Sequence, residues 1–119
     1  MMVREMATPP APIPRPVSEH ADAIRSACAR HSVSTLALVG SAARDDFDPV
    51  RSDIDVLVDF VDGDINYFRA FMGLRRELAE ILGRKVDLIS RRGVQNRLLL
   101  ESLERDAIPI HPPGMQPVP

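Results

Sequence analysis

The residues of this chain best suited to chemistry are three aspartates and a Gly-Ser pair. Asp53 and Asp55 flank Ile54 at the head of "DIDVLVDF", Asp87 sits in "KVDLIS", and Gly40-Ser41 closes the apolar run "LALVG". Aspartate is a poor strand former, yet two of them stand where a strand should begin. In a strand, residues i and i+2 share a face, about 7 Å apart at the backbone. Asp53 and Asp55 therefore project together, and their side chains can converge on one divalent ion or share two ions about 4 Å apart. Asp87 joins them on the same sheet face if its strand pairs in register. All-oxygen ligands favour Mg²⁺ or Mn²⁺ over zinc. The three histidines, His20, His31 and His111, have no metal-type spacing. A glycine after a strand permits close backbone approach, and the start of a helical turn offers free N–H groups to an anion. Gly40 and Ser41 thus form a minimal phosphate cradle. Arg44, Arg91 and Arg92 are basic residues able to neutralise phosphate. The competing reading of the aspartates is the solvated face of an ordinary antiparallel sheet.

The elements that must position these residues follow from pattern. Ser18 can cap a helix running to about His31, with Ala21, Ile24, Ala27 and Cys28 at helical spacing. "STLALV" reads as a buried strand ending at Gly40, followed by a brief helical turn at 41–44. "DIDVLVDF" alternates, with Ile54, Val56, Val58 and Phe60 on one face and Asp53, Asp55, Leu57 and Asp59 on the other. Asp64 can cap a long helix to Leu82 whose stripe holds Phe68, Phe71, Met72, Arg75, Leu78 and Leu82, and Gly83 stands at its C-terminal cap. "KVDLIS" is a short strand, 94–106 a last helix with Leu98, Leu99, Leu100 and Leu103, and "AIPI" an edge strand or a packed segment. The order predicts a mixed sheet with helices on one face, an α+β (α/β sandwich) domain.

The 119 residues suffice for one domain, and 45% apolar content is that of a globular core. Five of the eleven prolines lie in 9–16 and four in 112–119, so residues 1–16 and 111–119 are expected as Pro-rich, extended or disordered tails around a domain at 17–110. A formal net charge of -2 argues against a nucleic-acid binder held by bulk charge. No apolar run is long enough for a membrane span, and the proline-broken N-terminus lacks the apolar region of a secretory signal. The single cysteine, Cys28, excludes an internal disulfide, fits a cytoplasmic setting, and reads as a small core residue.

Gly40-Ser41, a loop, Asp53-Ile54-Asp55 and Asp87 together resemble the nucleotidyltransferase superfamily typified by DNA polymerase β. The layout "LALVGSAAR…SDIDVLVDF…KVDLIS" looks like its minimal nucleotidyltransferase (MNT) branch, and the likeness spans about residues 18–110. The resemblance implies a polymerase-β-like fold. It further implies that Gly40 and Ser41, with Arg44, bind the nucleotide, that Asp53, Asp55 and Asp87 bind two Mg²⁺ ions, and that Asp87 is the candidate base. The family usually has ten residues between the Ser and the first Asp, and often Gly after the loop Arg. Here there are eleven, 42–52, and Asp45 follows Arg44. MNT proteins are similar to one another in working beside a HEPN-type ribonuclease toxin. The function implied is an antitoxin that transfers AMP from ATP to a tyrosine of that partner. The alternative is an antitoxin that neutralises its toxin by binding alone.

Overall fold

The computed structural model describes residues 15–43 and 53–112, with backbone only at residues 15, 16, 41 and 42. The chain runs α1 (Arg15–Ser18), α2 (Ala21–Arg30), β1 (Val33–Val39), a 3-10 turn (Gly40–Ala43), β2 (Ile54–Phe60), α3 (Tyr67–Leu82), β3 (Val86–Ser90), a second 3-10 turn (Arg91–Gly93), α4 (Arg97–Arg105) and β4 (Ile108–His111). The four strands form one mixed sheet in the order β3-β2-β1-β4. β1 runs antiparallel to β2 and β4, whereas β2 and β3 are parallel. α3 is the crossover between the parallel pair, which cannot be joined by a tight turn.

Alternation assigns the two sheet faces. Leu36, Leu38, Ile54, Val56, Val58 and Phe60 are buried in one core with Ile24, Ala27 and Cys28 of α2 and Ala70, Leu74, Leu78 and Leu82 of α3. The opposite face carries Asp55, Leu57 and Asp59 of β2 beside Val39, Ala37 and Thr35 of β1. "AIPI" is a strand: Leu38 pairs with Ile108 and Ala37 with Pro109. Pro109 is tolerated because β4 lies at the sheet edge.

Several local expectations are corrected. Ser18 ends the four-residue α1, and His20 stands at the N-cap position of α2. α3 starts later than expected: Asn66, not Asp64, is its cap, and its side-chain oxygen accepts from the Arg69 N–H at 3.0 Å. Asn96 caps α4 in the same way through Leu99 N–H at 3.1 Å. Gly83, with φ of 65°, closes α3 in the left-handed conformation, as its position predicts. The inner stripe of α3 is Ala70, Leu74, Leu78 and Leu82, while Phe68 is 76% exposed. α4 buries none of its side chains, and Leu98 is 75% exposed. α1 opens at Arg15 and β4 closes at His111, so the described elements reach slightly beyond 17–110 at both ends. The remaining residues assigned to the tails, together with Arg44, Asp45 and the rest of the 44–52 loop, lie outside the described residues. Among the described residues, no helix is long and apolar enough to cross a membrane.

Candidate active site

Three neighbouring strand ends meet at one corner of the sheet: the C-terminal end of β1, the start of β2 and the start of β3. The pairing of β2 with β3 sets Ile54 beside Val86 and Asp55 beside Asp87. Since Ile54 and Val86 are buried in the core, the two aspartates project together from the other face. Asp53 precedes β2 and is exposed. On the other flank of β2, Asp55 pairs with Val39, the residue before Gly40. The sheet thus brings together all three carboxylates and the glycine of the Gly-Ser turn.

Gly40 is required by this geometry for two reasons. Its φ is +64°, a region that glycine enters without a Cβ penalty. A Cβ added there would also lie 2.5 Å from Asp55 Oδ2. The β1 turn and the Asp55 carboxylate are therefore packed face to face. Ser41 follows within the 3-10 turn Gly40–Ala43.

The carboxylates are crowded. Partial burial, then a side-chain hydrogen bond with Asp87 and the charges of Asp87 and Asp53, push the Asp55 carboxyl above its usual range, while Lys85 draws it back. Lys85 was not singled out in the sequence, yet its Nζ lies 3.8 Å from Asp53 Oδ2 and 3.8 Å from Asp87 Oδ1. The signal was present: Lys85 stands two residues before Asp87, on the same face of a strand. Among the described residues, no three His, Cys, Asp or Glu side chains close around a common point; of the three aspartates, Asp53 and Asp87 pair with the lysine, and Asp55 is hydrogen-bonded with Asp87. Their donor set is nonetheless all oxygen, anionic and incompletely neutralised, which suits a hard divalent cation held by Asp53, Asp55 and Asp87.

Two of the arginines proposed for phosphate are committed elsewhere. Arg92 donates from Nε to Asp59 Oδ1 at 2.9 Å and from Nη2 to Asp62 Oδ1 at 2.6 Å. It also reaches Tyr67 Oη at 2.7 Å and the Phe60 carbonyl at 3.0 Å. It therefore ties the second 3-10 turn to the β2–α3 connection. Asp59, on the same strand face as Asp55, is the other half of this tie. Arg91 pairs with Glu104 of α4 at 2.7 Å.

A nucleotidyltransferase domain family model matches residues 21–110. Over 79 residues, 66% of this chain and 78% of the relative, the sequence is 37% identical to a candidate protein adenylyltransferase, MJ1379, of Methanocaldococcus jannaschii. A second such protein of that organism, MJ0128, is 35% identical over the same shares. Among solved structures, a candidate minimal nucleotidyltransferase superposes with a TM-score of 0.63 at 34% identity, covering 78% of this chain and 91% of that one. A chain of the complex between a tri-AMPylated Shewanella oneidensis HEPN toxin and an MNT antitoxin superposes at 0.55 with 21% identity, covering 78% and 70%, and shares the fold. The chain belongs to the nucleotidyltransferase domain family, and its α+β architecture is that family's fold.

Proposed function

We propose that this protein is an adenylyltransferase antitoxin that moves AMP from ATP onto a tyrosine hydroxyl of a HEPN-type toxin partner. The observation that carries the reading is the register of β2 and β3, which sets Asp55 beside Asp87 while Gly40 packs on Asp55. Adenylyltransferase relatives at 35–37% identity support AMP transfer. The HEPN partner is supported by the fold shared with a chain of the HEPN toxin–MNT antitoxin complex. A toxin–antitoxin complex with AMP-PNP, covering 76% of this chain with a TM-score of 0.59, agrees with a nucleotide substrate.

In this reading Gly40 and Ser41 receive the triphosphate through the backbone N–H groups of the turn, joined by Arg44. Asp53, Asp55 and Asp87 would hold the divalent cations, two Mg²⁺ ions or Mn²⁺ in their place. The chemistry such ions would supply is charge stabilisation of the attacking and leaving oxygens in an in-line displacement at phosphorus. Asp87 takes the proton of the tyrosine hydroxyl, the phenolic oxygen bonds to the α-phosphorus, the α–β bridging bond breaks, and pyrophosphate leaves. The toxin supplies the far wall of the site.

Intact-mass spectrometry of the partner toxin after incubation with this protein, ATP and Mg²⁺ tests the proposal. Added AMP with the native protein, and none with Asp53→Asn/Asp55→Asn, is the expected result. An unchanged mass with the two proteins still in complex would replace transfer by neutralisation through contact.

A further inference from the structure

Lys85 stands among the carboxylates without a role in the reaction above. Its ammonium is placed between Asp53 and Asp87, 3.8 Å from an oxygen of each. Both contacts are longer than a charge-assisted hydrogen bond. The lysine side chain is 69% exposed, so little holds it in place beyond the charge it meets. The neighbouring basic residues are not equivalent: Arg91 is paired with Glu104 and Arg92 with Asp59 and Asp62. Among the described residues, Lys85 is the cation paired with Asp53 and Asp87.

We propose that Lys85 is a resident counter-ion of the carboxylate corner, a positioning residue that neutralises Asp53 and Asp87 until a divalent cation displaces its ammonium. The inference rests on the cation-binding reading of Asp53, Asp55 and Asp87. Its physical content is competition. Two positive charges cannot share the same pair of carboxylates without repelling each other, so part of the binding free energy of the incoming ion is spent on moving the lysine out. The four-carbon stem allows that movement, and the ammonium is then free to face the solvent side, where a polyphosphate would lie. The lysine thereby prevents three like charges from splaying the strand ends apart in the cation-free protein, and it raises the cation concentration at which the corner fills.

The experiment is a titration of the full chain with Mn²⁺ alone, followed by electron paramagnetic resonance of the free ion and by Tm, for the native protein, Lys85→Met, Lys85→Arg and Asp53→Asn/Asp55→Asn. Removing one positive charge about 5 Å from a dication should tighten Mn²⁺ binding on the order of tenfold at low salt. Lys85→Met should also have a lower Tm than the native protein without Mn²⁺ and a larger rise in Tm with it. Lys85→Arg should behave as the native chain, and high salt should shrink the difference. Mn²⁺ binding by the native protein that is lost in Asp53→Asn/Asp55→Asn but unchanged or weakened in Lys85→Met would overturn the counter-ion role while leaving the cation site standing. Mn²⁺ binding by none of the four proteins would overturn both the cation site and the role of Lys85.

Discussion

Gly40 and Asp55 form the tightest coupling in the candidate site, and each makes a separate prediction. Gly40→Ala places a methyl group where Asp55 Oδ2 now lies, 2.5 Å away, and forces a φ of +64° on a residue with a Cβ. The backbone strain alone is worth about 1–2 kcal/mol. The carboxylate must also shift, and misplacement of a reacting group by about an ångström can cost on the order of a hundredfold in rate. AMP transfer by Gly40→Ala, followed by toxin mass, should therefore fall by about that factor in a protein that still folds. Asp55→Asn should act in the opposite sense on stability. Asp55 is partly buried beside two other carboxylates, so replacing its charge removes repulsion. In the absence of divalent cations its Tm should exceed that of the native protein, while transfer is lost. A Tm below native in Asp55→Asn would mean that Asp55 serves the fold rather than the reaction.

Among the elements, α3 shows how local chemistry and tertiary packing divide the work. Its ends are set by short-range signals: Asn66 caps the start through Arg69 N–H, and Gly83 ends it at positive φ. Asn66→Ala should cost about 1 kcal/mol, read from urea denaturation. Its inner face is set by the sheet it covers. Leu74 is fully buried, so Leu74→Ala should destabilise by about 3 kcal/mol. Leu98→Ser on the exposed face of α4 should stay within about 0.5 kcal/mol of native. The two helices therefore have different standing, although each carries several leucines. The Phe68 and Met72 positions, expected in the core stripe, are exposed because α3 turns the neighbouring line of Ala70, Leu74 and Leu78 toward β2 and β3.

Across the whole molecule, α2 and α3 are locked together at one point. Gly73 of α3 admits the His31 ring, whose Cε1 would lie 2.6 Å from a Cβ there. Glu77, one turn on, bonds both His31 Nε2 and Arg30 Nη2. These partners, Arg30 first and His31 second, hold the Glu77 carboxyl down at about 2. A carboxylate with a depressed folded value stabilises the protein fully above its unfolded value, near 4.5, and loses that contribution as pH falls toward about 2. The native protein should thus lose stability between about pH 4.5 and 2 more steeply than Glu77→Gln, a difference that denaturation midpoints at several pH values will measure. Parallel acid profiles for the two proteins would show that the bridge contributes nothing to the fold.

Much of this architecture is written locally. Alternation in "DIDVLVDF" and "KVDLIS" assigns each aspartate to the face opposite the core, because a strand with one buried side allows only one register of its apolar residues. Gly83 marks a helix end because only glycine takes that backbone at no steric cost. The Gly-Ser and Asp-x-Asp motifs resemble those of nucleotidyltransferases, the family to which the chain belongs. Other features depend on residues distant in the chain. Alternation does not say which strands are neighbours; the parallel pairing that sets Asp55 beside Asp87 arises only when α3 carries the chain back across the sheet. Arg91 and Arg92 are equally basic in sequence, but Glu104, Asp59 and Asp62 take up their charge once α4 and the β2–α3 connection fold against them. Lys85, the single lysine of the sequence, is one exposed cation among fifteen basic residues until β3 lies beside β2 and places its ammonium between two carboxylates. Those outcomes rest on long-range pairing, because an electrostatic partner is defined by distance in space and a sequence specifies only distance along the chain.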